Sequence, residues 1–250
     1  MDFGIDQVIT TVLALFVMIM NKTPKFTAHG GSVTENLALQ NIQARIRMVL
    51  SYFVASLILW VRGRKKLLLT LSTANSDEIV RGYLTKYDNS SGDLNPIGSY
   101  SKMELRNFIA FSCKYYQLSV LNLFLDSTPS AELVPTHTPF VQCDEVEMGM
   151  SYDDLFMYTR LRTLFRLGPY FLFKKLCNLW SHDYSPYDIA VKVKTFFHYY
   201  SINRHKSAVS TPIFHSGLNS SGDNCSDLRP ILYNSDWTWQ FLQIDKELNF

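Results

Sequence analysis

Long apolar runs alternate along this chain with short polar stretches rich in helix-cap and turn residues. Val8–Met20, "VITTVLALFVMIM", is almost wholly apolar and reads as a helix that stops near Asn21, with Pro24 just beyond. Its thirteen residues fall short of the ~20 that span a bilayer, and the acids Asp2 and Asp6 precede it where a signal peptide carries basic residues. A buried helix is expected, not a membrane segment. Ser32 and Glu35 have the spacing of a capping box and open a second helix that should run to about Gly63, with Ile42, Ile46, Val49 and Phe53 as its buried stripe.

The run "LLLTLST", residues 67–73, is short, apolar and contains threonine, which predicts a buried parallel strand. A helix is expected over Ser76–Tyr87, then a loop over 88–100 rich in Asn, Ser, Gly and Pro. Ser101 and Glu104 repeat the capping-box spacing and open "KMELRNFIAFSCKYY". A polar loop follows at 134–147, then a mostly helical region over 151–200. Within it Ser185, Pro186 and Asp188 mark a helix start as cap, N1 and first-turn acid. The tail, 207–250, has less periodicity. The order helix, helix, strand, helix, helix fits part of an α/β fold, although one clear strand is too few for an open sheet.

Composition narrows the class. With 250 residues and 47% apolar content, the chain can bury the core of one large domain. A net charge of +2 does not favour nucleic acid as the main partner. Cys113, Cys143, Cys177 and Cys225 are widely spaced with no CxxC pair, as expected of reduced thiols in a cytoplasmic protein rather than a zinc site. The six histidines show no HExxH or HxH spacing.

Several polar clusters carry candidate chemistry, each beside a plainer reading. Thr73, Asp77 and Glu78 fall where a strand's carboxyl end meets a helix, the place α/β proteins use for ligands. A hydroxyl beside two carboxylates suits a nucleotide with Mg²⁺, whereas acids at a helix start also simply favour the dipole. Lys86 and Asp93 bracket the next loop and would otherwise be an ordinary exposed helix end. Arg45 and Arg47 stand roughly 200° apart on a helix, so at most one should serve a given site directly. The other would lie along the surface. "NRHK", 203–206, gathers three cations suited to phosphate or carboxylate, or to a helix C-terminus. The Arg64–Lys65–Lys66 run reads as a solvated loop.

The blocks "AHGGSVTENLALQNIQARIRM", "TANSDEIVRGYLTKYDNSSGDLNPIG", "SKMELRNF", "EMGMSYDDL", "SINRHK" and "DLRPILYNSDWTWQF" resemble the synthetase domain of glutamine-dependent NAD⁺ synthetases, in order and spacing, over about residues 5–245. The resemblance implies an α/β, Rossmann-like, adenine-nucleotide-binding fold of the ATP-pyrophosphatase class, incomplete at its N-terminus. Residues 1–133 would form its nucleotide-binding part and 134–250 a mostly helical part with the tail. It implies ATP-dependent amidation of deamido-NAD⁺ to NAD⁺ through an adenylated intermediate, with ammonia drawn from glutamine elsewhere. Carried over by position, Thr73, Lys102 and Ser130 would contact ATP and Glu78 would hold Mg²⁺. Arg45, Lys86, Asp93, His205 and Lys206 would bind deamido-NAD⁺. A homo-oligomer with full-length subunits is implied as well.

The chain departs from the family pattern at the SGGxDS loop, which is absent, and in lacking the amidase domain with its Cys–Glu–Lys set. Ser72 and Ser99 stand where the family has glycine. These departures predict that the 250 residues alone are inactive, and they leave a non-catalytic module associating with a full-length synthetase as the alternative.

Overall fold

The computed structural model describes residues 4–134, 142–214 and 235–248; Cys225 and part of the tail block 227–241 lie outside these. The described residues form ten α-helices: α1 Ile5–Met20, α2 Val33–Val61, α3 Ser76–Arg81, α4 Lys102–Tyr115, α5 Asn122–Asp126, α6 Asp144–Met148, α7 Tyr152–Thr163, α8 Pro169–Leu179, α9 Pro186–Ile202 and α10 Thr238–Leu248.

Helix starts follow local chemistry closely. Ser32 and Ser101 each accept the N–H of the glutamate three residues on, and that glutamate reaches back to the cap N–H, so both capping boxes are complete. Ser185 accepts from Asp188 N, with Pro186 at the first helical position. Asn21 ends α1 in the left-handed conformation. α3 is shorter than its sequence suggests. Gly82, at φ +74°, terminates it after Arg81.

The core lies in the second half of the chain. Leu155 and Tyr158 of α7, Leu172 and Leu176 of α8, Val193, Phe196 and Phe197 of α9 and Ile244 of α10 are all fully buried in one cluster. Side chains of this size contribute about 1.5–3 kcal/mol each on burial. α3 packs on α7 and α9, which fixes the start of the site against this core.

The first half is different, and three expectations are corrected there. α1 forms as expected but buries no residue, because among the described residues α2 is its main neighbour. On α2 the buried positions are Leu39, Gln40, Ala44, Ile46 and Met48, whereas Val49 and Phe53 are exposed. Periodicity had marked the apolar face but not how much of it finds a neighbour. By length and composition α2 could cross a bilayer, with 22% of its most apolar window buried; its Gln40, Gln43, Arg45 and Arg47 bond to other parts of the fold.

The third correction concerns 67–73. No extended strand forms among the described residues; Leu71 makes an isolated parallel bridge to Leu94, and Asn95 another to Ile213. Three short extended segments thus lie side by side in the order 70–72, 93–95, 211–214. Leu67, Leu68, Leu69 and Leu71 are exposed rather than buried. A parallel strand needs neighbours on both edges and layers on both faces, and here one edge and one face are bare. The α/β expectation is met only by these sheet fragments within a helix-rich fold.

Candidate functional site

Where 70–73 runs into α3, two adjoining cavities open. The first, about 270 Å³, is lined by Thr73, Glu78, Lys102, Ser130, Asp144 and Arg47, among others. The second, about 480 Å³, is lined by Arg45, Arg81, Lys86, Tyr199, His205 and Lys206, among others. Tyr83, Leu84, Asp88, Ala131 and Leu133 line both and form the shared wall.

Local structure sets each group in the first cavity. Asn75 caps α3 by accepting from Asp77 N and Glu78 N, and Glu78 returns the bond to Asn75 N at 3.2 Å. That fixes one Glu78 oxygen and turns the other inward. Glu78 Oε1 lies 3.7 Å from Lys102 Nζ and accepts the Tyr152 hydroxyl at 3.2 Å. The same hydroxyl sits 2.9 Å from Asp144 Oδ2. A tyrosine has one proton to give, so it cannot satisfy both carboxylates fully. Burial raises the Glu78 carboxyl above its ordinary range, with Lys102 opposing the shift. α4 is aligned on the same spot because Asp77 accepts the Lys102 N–H at 2.9 Å. Burial pushes Asp77 up to about 7.

The second cavity is cationic. Arg45 donates to Lys86 O at 3.0 Å, drawing α2 to the loop after α3. Arg81 is buried, bonded to Met148 O and stacked 3.6 Å over Tyr199. Lys206 donates to both Gly82 O and Leu84 O at 2.7 Å. Burial, then the nearby Arg81, lower its ammonium to about 8. His205 is also lowered, by burial and then by Lys86.

Of the sequence candidates, the fold brings Thr73, Glu78, Lys102 and Ser130 to one cavity and Arg45, Lys86, His205 and Lys206 to the other. Asp93 lines neither. Its carboxylate accepts Thr70 N at 2.7 Å and the Tyr52 hydroxyl at 3.2 Å, holding the sheet fragment to α2. Arg47 lines the first cavity, whereas Arg45 lines the second. Arg47 donates to Ala131 O and Glu132 O, which positions the Ser130 loop. Tyr83, Tyr152 and Asp144 were missed by sequence reasoning. The acid run Asp144–Glu147 beside "MGMSYDDL" was the available signal. Tyr83 donates to Glu147 Oε2 at 2.6 Å and lies 3.2 Å from Asp144 Oδ1, so this network stands behind both cavities.

The NAD synthase family model matches residues 7–164, well over half of the chain. The chain belongs to the NAD synthase family. Among curated relatives, the glutamine-dependent NAD(+) synthetase of Mus musculus is 50% identical over 248 residues, covering 99% of this chain and 34% of that protein. The Saccharomyces cerevisiae protein of the same name is 49% identical over 247 residues, covering 98% of this chain and 35% of its own length. The chain spans about a third of the length of the curated relatives it matches. A crystal structure of a glutamine-dependent NAD(+) synthetase from Cytophaga hutchinsonii aligns with a TM-score of 0.69 over 98% of this chain and 36% of that one, at 22% identity. This NAD synthase chain therefore shares that fold.

Proposed function

We propose that the two cavities hold ATP and deamido-NAD⁺ side by side, and that this chain is the synthetase portion of an ATP-dependent, amide-forming NAD⁺ synthetase with a Rossmann-like nucleotide site. The observation that carries the reading is the shared wall. An acid-and-lysine cavity (Glu78, Asp144, Lys102) and a cationic one (Arg45, Arg81, Lys86, His205, Lys206) meet across Tyr83, Leu84 and Asp88.

In this reading a carboxylate oxygen of deamido-NAD⁺ attacks the α-phosphorus of ATP, the bond to pyrophosphate breaks, and an acyl adenylate forms. Ammonia then attacks the acyl carbon, loses a proton, and AMP leaves with the bonding pair. Lys102 would neutralise phosphate charge, Thr73 and Ser130 would donate hydroxyl bonds to ATP, and the cationic cavity would seat the dinucleotide's phosphates.

Glu78 and Asp144 fit Mg²⁺ in chemistry. They are hard oxygen donors, and a cation would relieve two carboxylates that share one hydroxyl proton. Among the described residues no group of three or more His, Cys, Asp or Glu side chains is placed to hold a metal, so phosphate oxygens and water would complete the sphere. When bound, the ion would offset triphosphate charge.

Calorimetry of the purified chain tests the proposal. Deamido-NAD⁺ should bind, and Arg45→Ala should weaken it. ATP with Mg²⁺ should bind a separate site that Lys102→Met weakens. Failure of both nucleotides to bind, or one variant weakening both equally, would sink the two-cavity reading. An ammonia-driven amidation assay reports separately on turnover. Association with a full-length synthetase as a homo-oligomer remains part of the proposal.

A further inference from the structure

Ser72 and Ser99, the two serines that stand where the family pattern has glycine, lie on separate loops and reach the same stretch of chain. Ser72 Oγ accepts the Gly92 N–H at 2.6 Å and donates to Thr211 Oγ1 at 3.0 Å, and Thr211 Oγ1 donates in turn to Gly92 O at 2.6 Å. The Gly92 N–H can only donate, which leaves the Ser72 proton for Thr211 and the Thr211 proton for Gly92 O. The three bonds thus close a ring in which each polarises the next. Ser99 Oγ donates to Phe214 O at 2.7 Å. Between these two holds, Asn95 N donates to Pro212 O and Phe214 N to Asn95 O. Ser72, Ser99 and Thr211 are all buried. We infer that Ser72 and Ser99 are positioning residues for the dinucleotide cavity: their hydroxyls clasp the segment 211–214, and through it they hold His205 and Lys206 in place.

The connection from clasp to cavity is short. His205 and Lys206 sit in the 3₁₀ helix Arg204–Val209, and Thr211 follows directly after Ser210. The helix is anchored at its start by α9 and at its end by Thr211. On the other side of the ring, Thr211 Oγ1 also lies 3.1 Å from Ser90 O, in the loop whose Asp88 stands in the wall shared by both cavities. The ring therefore fixes the distance between that wall and the cations facing it. Close packing leaves it little freedom. A Cβ at Gly92 would come within 2.6 Å of Thr70 O and 2.8 Å of Ser72 Oγ, and one at Gly98 would run into Ile213 Cγ2. Without the clasp the segment would open part of the time, and the apparent affinity for the dinucleotide would fall with the closed fraction. The inference rests on deamido-NAD⁺ occupying the cationic cavity.

Hydrogen exchange and calorimetry on the full 250-residue chain test it. Ser99→Ala and Thr211→Val each delete one hydroxyl and add no bulk. In each, exchange over 203–214 of the unliganded chain should quicken by about tenfold or more, with α8 unchanged. Deamido-NAD⁺ affinity, measured well below the melting temperature, should fall by about fivefold or more although Arg45, His205 and Lys206 are intact. A role confined to stability would lower the melting temperature and leave that affinity alone. Ser72→Ala should match Thr211→Val, and the two together should lose no more than either alone, because each opens the same ring. Ser99→Ala, which leaves the ring whole, keeps the test decisive if the ring variants unfold. Failure of the wild type to bind deamido-NAD⁺ would remove the dinucleotide reading, and exchange alone would then judge the clasp. Unchanged exchange in the folded variants overturns the clasp. Quickened exchange with unchanged affinity overturns its role in positioning the cavity.

Discussion

Replacing Lys206 by Met tests the cationic cavity at its most strained point. The ammonium is largely buried, bonded to Gly82 O and Leu84 O at 2.7 Å, and lowered from 10.5 to about 8 by burial and by Arg81. Below pH 8 both the folded and unfolded chains hold the proton, so Lys206 adds no slope. Between about pH 8 and 10.5 the folded chain has released it while the unfolded chain still holds it, and stability rises with pH. The full step, at about 1.4 kcal/mol per unit, is at most about 3 kcal/mol, most of it gained by pH 10. At neutral pH the Met variant loses two charge-assisted bonds of about 1.5–3 kcal/mol each and escapes a burial penalty of similar size to one of them. It should therefore be only modestly less stable there. Urea denaturation of both proteins at pH 7, 8, 9 and 10 is the assay. The stability gap between wild type and variant should widen with pH by about 2–3 kcal/mol. Tyr83, Tyr152 and Tyr158, whose hydroxyls burial pushes upward, are common to both and cancel. Parallel curves would refute the claim that Lys206 is held in a site that disfavours its charge.

Three further outcomes follow from the same geometry. Arg45→Ala should weaken deamido-NAD⁺ by about 1.5–3 kcal/mol, the range for a charged hydrogen bond, with ATP affinity unchanged by calorimetry. Asp93→Ala should lower stability by about 1–3 kcal/mol through loss of the Thr70 and Tyr52 bonds, with little effect on dinucleotide affinity; a binding loss without a stability loss would restore Asp93 to the site. Gly82→Ala should lower stability by at least about 2 kcal/mol in thermal melts, because its backbone is at φ +74° and the new Cβ would lie 2.2 Å from Asn203 Cβ.

Sequence alone determined what is decided within a few residues. The caps at Ser32, Ser101 and Ser185 and the stop at Asn21 all rest on bonds between residues three or four apart, which local sequence encodes. The resemblance also named eight residues that the fold gathers into two cavities. Only the tertiary structure decided burial and company. Val49, Phe53 and the leucines of 67–71 have apolar patterns that promise a core, yet burial requires a second surface, and among the described residues none covers them. Likewise Asp144 and Tyr152 reach Glu78 from 66 and 74 positions away, because α6 and α7 fold back on α3, and no local spacing encodes a contact made across that much chain.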